Sequence, residues 1–172
     1  MFRPCFLSYI EPMFDVLVFV YEHYWRGDAC PELQQLERKL SAHGFDLEQI
    51  HEALAWLDGL NFAAQNACAS VTSCTFAELS AAATSMRVYS VAEQEHLGAR
   101  CLGFISFLAD SGVLPASMRE IVIDRAMAAP GDPVSLDDLK IIVLMVYWSF
   151  GQQPDALVLD ELCDSPEGRL AH

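Results

Sequence analysis

The side chains that could carry metal chemistry are scattered along this sequence. His43 and His51 lie in or near consecutive predicted helices, and Cys68 and Cys74 are six positions apart. Structural zinc sites take ligands from short spacings such as C-x-x-C, and neither pair has such a spacing. We interpret these residues as turn, surface and loop positions. The sequence therefore predicts no bound metal and no cofactor.

Carboxylates and histidines that could act in acid–base catalysis are not paired in a useful way either. Asp137 and Asp138 are adjacent, and adjacent residues on a helix point about 100° apart. We interpret them as favourable charge at a helix start. Asp160 and Glu161, which are also adjacent, are interpreted as a solvated face. His96 follows Glu93 by three positions, which favours a surface ion pair over a general base. The sequence has no nucleophile elbow, phosphate-binding glycine loop or dinucleotide fingerprint, so we predict that the protein is not an enzyme.

The composition restricts the class of protein and the class of partner. Hydrophobic residues make up 53% of the 172 residues, which is typical of a globular chain with a sizeable core. The 24 acidic residues outnumber the 10 basic ones and give a net charge of −14. Such a surface repels phosphate backbones and anionic lipid heads and attracts basic proteins. We expect a protein partner with a basic surface, and we expect no membrane contact and no direct contact with nucleic acid.

The six cysteines favour a reducing compartment. None forms a C-x-x-C pair, and Cys101 lies on the predicted inner face of a helix, where a thiol packs as a small hydrophobic group. Glu11, Pro12 and Asp15 interrupt the apolar stretch that a secretory leader would need. We therefore predict a cytoplasmic protein with reduced thiols.

The segment at 136–150, LDDLKIIVLMVYWSF, is predicted to form the central helix of the fold. After Lys140 it contains a single small polar side chain, so a helix here has no solvent face and must be surrounded by other helices. Ser135 is a suitable N-cap, and Gly151 with Pro154 ends the helix. At about 15 residues it is shorter than the roughly 20 that a membrane span needs.

Three amphipathic helices are predicted before position 61, at 13–25, 31–42 and 47–60, from apolar residues at helical spacing. Gly27 and Gly44 mark the ends of the first two. Their inner faces are formed by apolar residues at helical spacing: Phe14, Leu17, Val18, Tyr21, Trp25, Leu33, Leu36, Leu40, Ile50, Leu54 and Leu57.

The next stretch predicts the wing of a winged-helix unit. Residues 61–84 are rich in serine, threonine and alanine and fit either a long wing loop or an extra short helix at 76–83. Residues 86–89 are interpreted as a short strand. A strand that follows three helices is how a wing is built, so residues 13–89 are predicted to form a winged-helix-like three-helix unit.

The remaining residues predict an all-helical unit. Ser90 and Glu93 form an S-x-x-E capping box that opens a helix ending near Gly112. Leu114-Pro115 opens another helix, and the central helix follows it.

The predicted fold is mainly α, with an N-terminal winged-helix-like unit followed by an all-helical unit around a central buried helix. The predicted divisions are an extension at 1–12, the winged-helix-like unit at 13–89, the helical unit at 90–163 and a polar tail at 164–172. Our hypothesis for the extension is that translation can also start at Met13.

Four segments of the chain resemble the bacterial Smg family. They are MFDVLVFVYEHYW at 13–25, GFDLEQIHEALAWLDGL at 44–60, SMRVYS at 85–90 and SLDDLKIIVLMVYW at 135–148. The resemblance implies a short, acidic, cytosolic protein without an assigned catalytic residue. The extension at 1–12 and the cysteine-bearing region at 61–84 depart from the family pattern.

The winged-helix interpretation raises the question of DNA binding. A DNA-reading helix carries arginine and lysine, whereas the predicted helix at 47–60 has neither and carries Glu48, Glu52 and Asp58. We therefore predict a non-enzymatic adaptor or regulator that binds a protein through acidic helical faces, with Tyr24 and Trp25 as a candidate aromatic anchor. The alternative is a nucleic-acid-associated regulator that acts within a complex.

Overall fold

The computed structural model describes residues 12–24, 33–71, 87–152 and 154. These residues form six helices and, within the same ranges, no β-strand, so the described chain is mainly α as predicted. The helices are α1 (Pro12–Tyr24), α2 (Leu33–Ala42), α3 (Leu47–Val71), α4 (Val91–Asp110), α5 (Ala116–Met127) and α6 (Leu136–Ser149).

Helix α6 lies at the centre of the structure. Every residue from 139 to 147 is buried, and Val143 has no exposed surface. The helix packs against α1, α3, α4 and α5. Ser135 caps it as predicted, because its side chain accepts a hydrogen bond from the backbone N–H of Asp138 at 3.1 Å. Burial on all sides therefore agrees with a segment that is apolar around its whole circumference.

The first turn of α6 is also covered, which the sequence did not indicate. Asp138 is 2% exposed and Lys140 is 3% exposed. The Ser135 hydroxyl donates to Asp138 Oδ2 at 2.6 Å, and the Lys140 ammonium lies 6.0 Å from the centre of the Phe104 ring. Asp138 lies in the first turn of α6, as its interpretation as charge at a helix start requires, while its burial was not predicted. Neighbouring helices enclose the polar start of α6 as well as its apolar middle.

The predicted inner faces of α2 and α3 are confirmed where the side chains are described, whereas the buried stripe of α1 differs in part from the prediction. Val18 and Tyr21 of α1 are half-buried, and Trp25 and the Leu33 side chain lie outside the described residues. Helix α3 packs against both α1 and α2, and the left-handed Gly44, with φ of +94°, ends α2 and allows the chain to turn back. Among the side chains of these helices that the structure describes, the buried ones are Met13, Phe14, Val16, Leu17, Val20, Leu36, Leu40, Ile50, Ala53, Leu54, Trp56, Leu57, Leu60 and Ala64.

The hydrophobic core continues across the predicted unit boundary at residue 90. Helices α1 and α3 pack against α6, and α3 also packs against α5. The indole Nε1 of Trp56 donates to the Arg125 carbonyl at 3.0 Å. One apolar cluster therefore includes residues from both predicted units. That residues 13–89 and 90–163 are separate units stays a prediction.

Helix α3 extends to Val71, eleven residues beyond its predicted end at Leu60. The prediction of loop for residues 61–71 was wrong. Ala64 is buried, and Ala63 and Ala67 pack against the core, so small side chains bring this part of the helix close to its neighbours. Alanine also has the highest intrinsic helix propensity. The second alternative, a short helix at 76–83, lies outside the described residues.

The predicted strand at 86–89 is not formed in its described part. Residues 87–90 are extended but are not paired in a sheet. Arg87 and Tyr89 turn towards the protein, whereas Val88 is 84% exposed. The wing of a winged helix is therefore not found in this segment.

Helix α4 contains a kink at Gly98. The capping box opens the helix as predicted: Glu93 N–H donates to the Ser90 hydroxyl at 3.3 Å, and Ser90 N–H donates to the Glu93 carboxylate at 2.7 Å. Gly98 then has φ of +66° and ψ of 168°, which is not helical. Next to this kink the His96 carbonyl accepts a hydrogen bond from Val134 N–H at 2.8 Å. The kink therefore joins α4 to the loop that precedes α6.

None of the helices in the described ranges combines the length and the apolar character that crossing a membrane requires.

Candidate functional site

The three acidic residues singled out in the sequence lie on the solvent side of α3. Glu48, Glu52 and Asp58 are all exposed. Glu48 and Glu52 are one turn apart, and Asp58 lies towards the opposite edge of the exposed stripe, which gives the stripe carboxylates on both sides. We call this surface the α3 outer face, and we define it by the exposed residues Glu48, His51, Glu52, Ala55, Asp58 and Phe62.

Phe62 lies at the C-terminal end of the α3 outer face and was missed by the sequence analysis. Its side chain is 69% exposed, on a helix whose other side packs against the core. Along the helix, Phe62 lies four residues after Asp58 and seven after Ala55, on the same side. The omission follows from ending α3 at Leu60, which placed Phe62 in a loop. Ile50 and Leu57 are seven residues apart on the buried side of the helix. Extending this spacing for two more turns would have placed Phe62 on the solvent side.

His51 brings a carboxylate of α2 to the same face. Its Nε2 lies 3.5 Å from Glu37 Oε1, with both side chains substantially exposed. The contact connects α2 to α3 at the surface. Exposed pairs of this kind contribute little to stability, roughly 0 to 1 kcal/mol. Its effect is to add a fourth acidic side chain next to the α3 outer face.

The predicted aromatic anchor lies elsewhere. Tyr24 is half-buried at the end of α1, and the Lys39 ammonium lies 5.1 Å from the centre of its ring. Trp25 lies outside the described residues. The structure therefore does not bring Tyr24 onto the α3 outer face, and a partner contact of Tyr24 and Trp25 stays a prediction.

Arg87 joins the segment before α4 to two helices. It donates to both oxygens of Glu93, at 2.8 and 3.0 Å, and to both oxygens of Glu120, at 3.0 and 2.9 Å. Its guanidinium carbon also lies 4.8 Å from the centre of the Tyr89 ring. The ion pair expected between Glu93 and His96 is therefore replaced by one with Arg87, and His96 Nε2 instead lies 3.1 Å from the Ala126 carbonyl.

The Glu93 contacts predict a measurable dependence of stability on pH. Hydrogen bonds from Arg87, and then from the Ser90 backbone, lower the pKa of Glu93 from 4.5 to about 2. A carboxyl group with a lowered folded-state pKa stabilises the fold above its unfolded pKa and loses that contribution as the pH falls towards the folded value. We expect a contribution on the order of 2 kcal/mol that disappears between about pH 4.5 and pH 2.

Urea titrations of Glu93→Gln and the wild-type protein between about pH 7 and pH 2 measure this contribution. The difference between their free energies of unfolding should shrink as the pH falls. Glu95→Gln removes the same charge from an exposed position on the same helix and serves as the control. A difference for Glu93→Gln that is constant over the whole range would contradict the assignment.

Cys101 is in the interior, as the sequence predicted. It is 1% exposed, and its thiol donates to the Val134 carbonyl at 3.4 Å. Burial raises the pKa of Cys101 to about 11. Because the thiolate is the reactive form, this thiol is poorly suited to nucleophilic chemistry at neutral pH.

No group of three or more histidine, cysteine, aspartate or glutamate side chains that could hold a metal ion occurs in the part of the chain that the structure describes. Among the candidate metal ligands, His43 lies in the turn between α2 and α3, and His51 is paired with Glu37. The Cys68 side chain and all of Cys74 lie outside the part of the chain that the structure describes.

The fold and the candidate site together define a mainly α-helical protein with an exposed acidic helix face. No solved structure matches the chain. A family model described as "Protein of unknown function (DUF494)" matches residues 13–172. The chain belongs to this family, the bacterial Smg family.

The similar proteins carry the family name. The "Protein Smg homolog" of Leptothrix cholodnii is 58% identical over 160 residues, which cover 93% of this chain and 100% of the relative. The "Protein Smg homolog" of Methylibium petroleiphilum is 56% identical over the same shares of both chains. That of Bordetella avium is 48% identical over 93% of this chain and 100% of the relative. The resemblance inferred from four sequence segments is therefore confirmed.

Proposed function

We propose that the protein is a non-enzymatic cytosolic adaptor or regulator that binds a protein partner with a basic surface through the α3 outer face. The observation that supports this most directly is the presence of three exposed carboxylates, followed by an exposed aromatic ring, on one face of one helix. Over the stretch from Glu48 to Phe62 this face is roughly 21 Å long, from the helical rise of about 1.5 Å per residue.

The two kinds of side chain have different roles in such a contact. Exposed carboxylates steer a basic partner towards the surface and set its orientation, and each contributes little to affinity after solvent screening. An aromatic ring buries about 150 to 250 Å² in a complex and is the type of residue that dominates binding energy. Phe62 is therefore the proposed anchor, and Glu48, Glu52 and Asp58 form the charged rim.

The alternative role, that of a nucleic-acid-associated regulator, has less support. Helix α3 contains no lysine or arginine in its 25 residues, so its outer face would meet phosphates with charge of the same sign. A mobility-shift titration of the purified protein distinguishes the two roles. Submicromolar binding to DNA or RNA at physiological salt would favour the alternative.

Charge reversal of the rim tests the proposal. The triple variant Glu48→Lys, Glu52→Lys, Asp58→Lys and the single variant Phe62→Ala are compared with the wild type by quantitative affinity pulldown from the native cytosol. We expect the same partner to be lost, or reduced at least about tenfold, with both variants, because steering and anchoring act on one complex. Recovery should also fall as salt rises from low to moderate concentration.

A matched control keeps the change in net charge constant. The triple variant Glu22→Lys, Glu95→Lys, Asp110→Lys reverses three exposed acids away from the α3 outer face. It should retain the partner at wild-type levels. If the α3 variants leave the set of recovered proteins unchanged at both salt concentrations, or if the control loses the same partner, the proposed role of this face is wrong.

A further inference from the structure

Two exposed histidines meet around one aromatic ring at the end of α1. The ring of Phe19 is stacked on His23 with centres 3.9 Å apart, and it also contacts His43, with centres 4.6 Å apart. The two imidazole rings are 6.1 Å apart between centres. His23 comes from the last turn of α1 and His43 from the turn between α2 and α3, so packing of separate elements brings them together.

A hydrogen bond determines which nitrogen of His23 is available. Its Nδ1 lies 2.9 Å from the Phe19 carbonyl oxygen. A carbonyl oxygen has no proton to give, so Nδ1 carries the N–H and donates it. In the neutral ring the lone pair is then on Nε2. Donation of Nδ1–H to a backbone carbonyl is also how metal-binding histidines are commonly held in one tautomer and one orientation.

The separation of the rings suits a shared ion. With a metal–nitrogen bond of about 2 Å, two imidazoles on one ion have ring centres about 5 Å apart at a tetrahedral angle and about 6 Å apart when they are nearly opposite. The observed 6.1 Å is at the upper end of this range. Both histidines are exposed, so rotation of His43 can shorten the distance and water can occupy the remaining positions.

We propose that His23 and His43 form a two-imidazole site for a borderline divalent transition-metal ion such as Ni²⁺, Cu²⁺ or Zn²⁺. Imidazole nitrogen suits these ions, whereas Mg²⁺ and Ca²⁺ prefer oxygen ligands. Phe19 holds the two rings on one side of the protein and contributes no ligand. The site is open and is independent of the α3 outer face and of the adaptor role.

Nuclear magnetic resonance of the full-length chain without a polyhistidine tag tests the site directly. Because Ni²⁺ is paramagnetic, substoichiometric addition should broaden the imidazole signals of His23 and His43 before those of His51, His96 and His172. A calorimetric titration with Ni²⁺ measures the affinity. Removing even an outer-shell partner of a metal site commonly costs about 10- to 100-fold in affinity, so His23→Gln and His43→Gln should each weaken binding at least about tenfold.

His51→Gln is the control, because His51 is an exposed histidine that pairs with Glu37. It should bind Ni²⁺ with the wild-type affinity. Unchanged affinity in the double variant His23→Gln, His43→Gln, or broadening that begins at other histidines in the wild type, would overturn the proposal. The order of broadening is measured on the wild-type protein, so this test does not depend on the folding of any variant.

Discussion

Replacing Val143 with aspartate is expected to unfold much of the protein at ordinary temperatures. Val143 has no exposed surface and lies in the middle of α6, which packs against four other helices. An unpaired carboxyl group buried there costs several kcal/mol, whether it is ionised or takes up a proton. Since a domain is typically stable by only about 5–15 kcal/mol, the loss is a large part of the total. Thermal and urea denaturation followed by circular dichroism measures it.

The matched control places the same substitution on the surface. Val88 is 84% exposed in the extended segment before α4. Val88→Asp should change the free energy of unfolding by no more than about 0.5 kcal/mol. A Val143→Asp protein that melts at the wild-type temperature would show that α6 is not the buried centre of the fold.

Gly98→Ala is expected to be the second most damaging of these substitutions. Gly98 combines φ of +66° with ψ of 168°, a region of backbone conformation that is essentially restricted to glycine. An added Cβ would meet only the Pro133 side chain, at 3.9 Å, so the penalty comes from the backbone and not from a steric clash. We expect a loss of about 1–3 kcal/mol in the free energy of unfolding, measured by urea denaturation.

Gly103→Ala in the same helix should have the opposite sign. Gly103 has helical geometry, and an added Cβ meets nothing within 4 Å. Alanine should stabilise the helix here by up to about 1 kcal/mol, because it restricts the unfolded chain and favours helix. Equal effects of the two substitutions would mean that the kink at Gly98 is not part of the native structure.

Features that depend on residues close together in the chain were predicted well. The Ser90–Glu93 capping box and the Ser135 cap each join residues three positions apart, so local sequence specifies them. The burial of α6 was predictable for a related reason. A segment with apolar residues on all sides has no stable arrangement except enclosure.

Features that depend on tertiary packing were not predictable. Small residues after Leu60 resemble a loop until a neighbouring helix surface is present for them to approach, and α3 continues for that reason. Arg87 and Glu120 are 33 positions apart, and so no local pattern connects them. The same holds for the α3 outer face: its carboxylates were visible in the sequence, while Phe62 joined them only once the helix was known to extend past Leu60.

The position of α6 in the chain has a consequence for synthesis of the protein. Five described helices leave the ribosome before it, and four of them bury their apolar sides against it. Their packing therefore stays incomplete until residue 149 has emerged from the exit tunnel. During that interval the nascent chain exposes the type of surface that chaperones bind, and early termination before residue 136 would yield a fragment with that surface permanently uncovered.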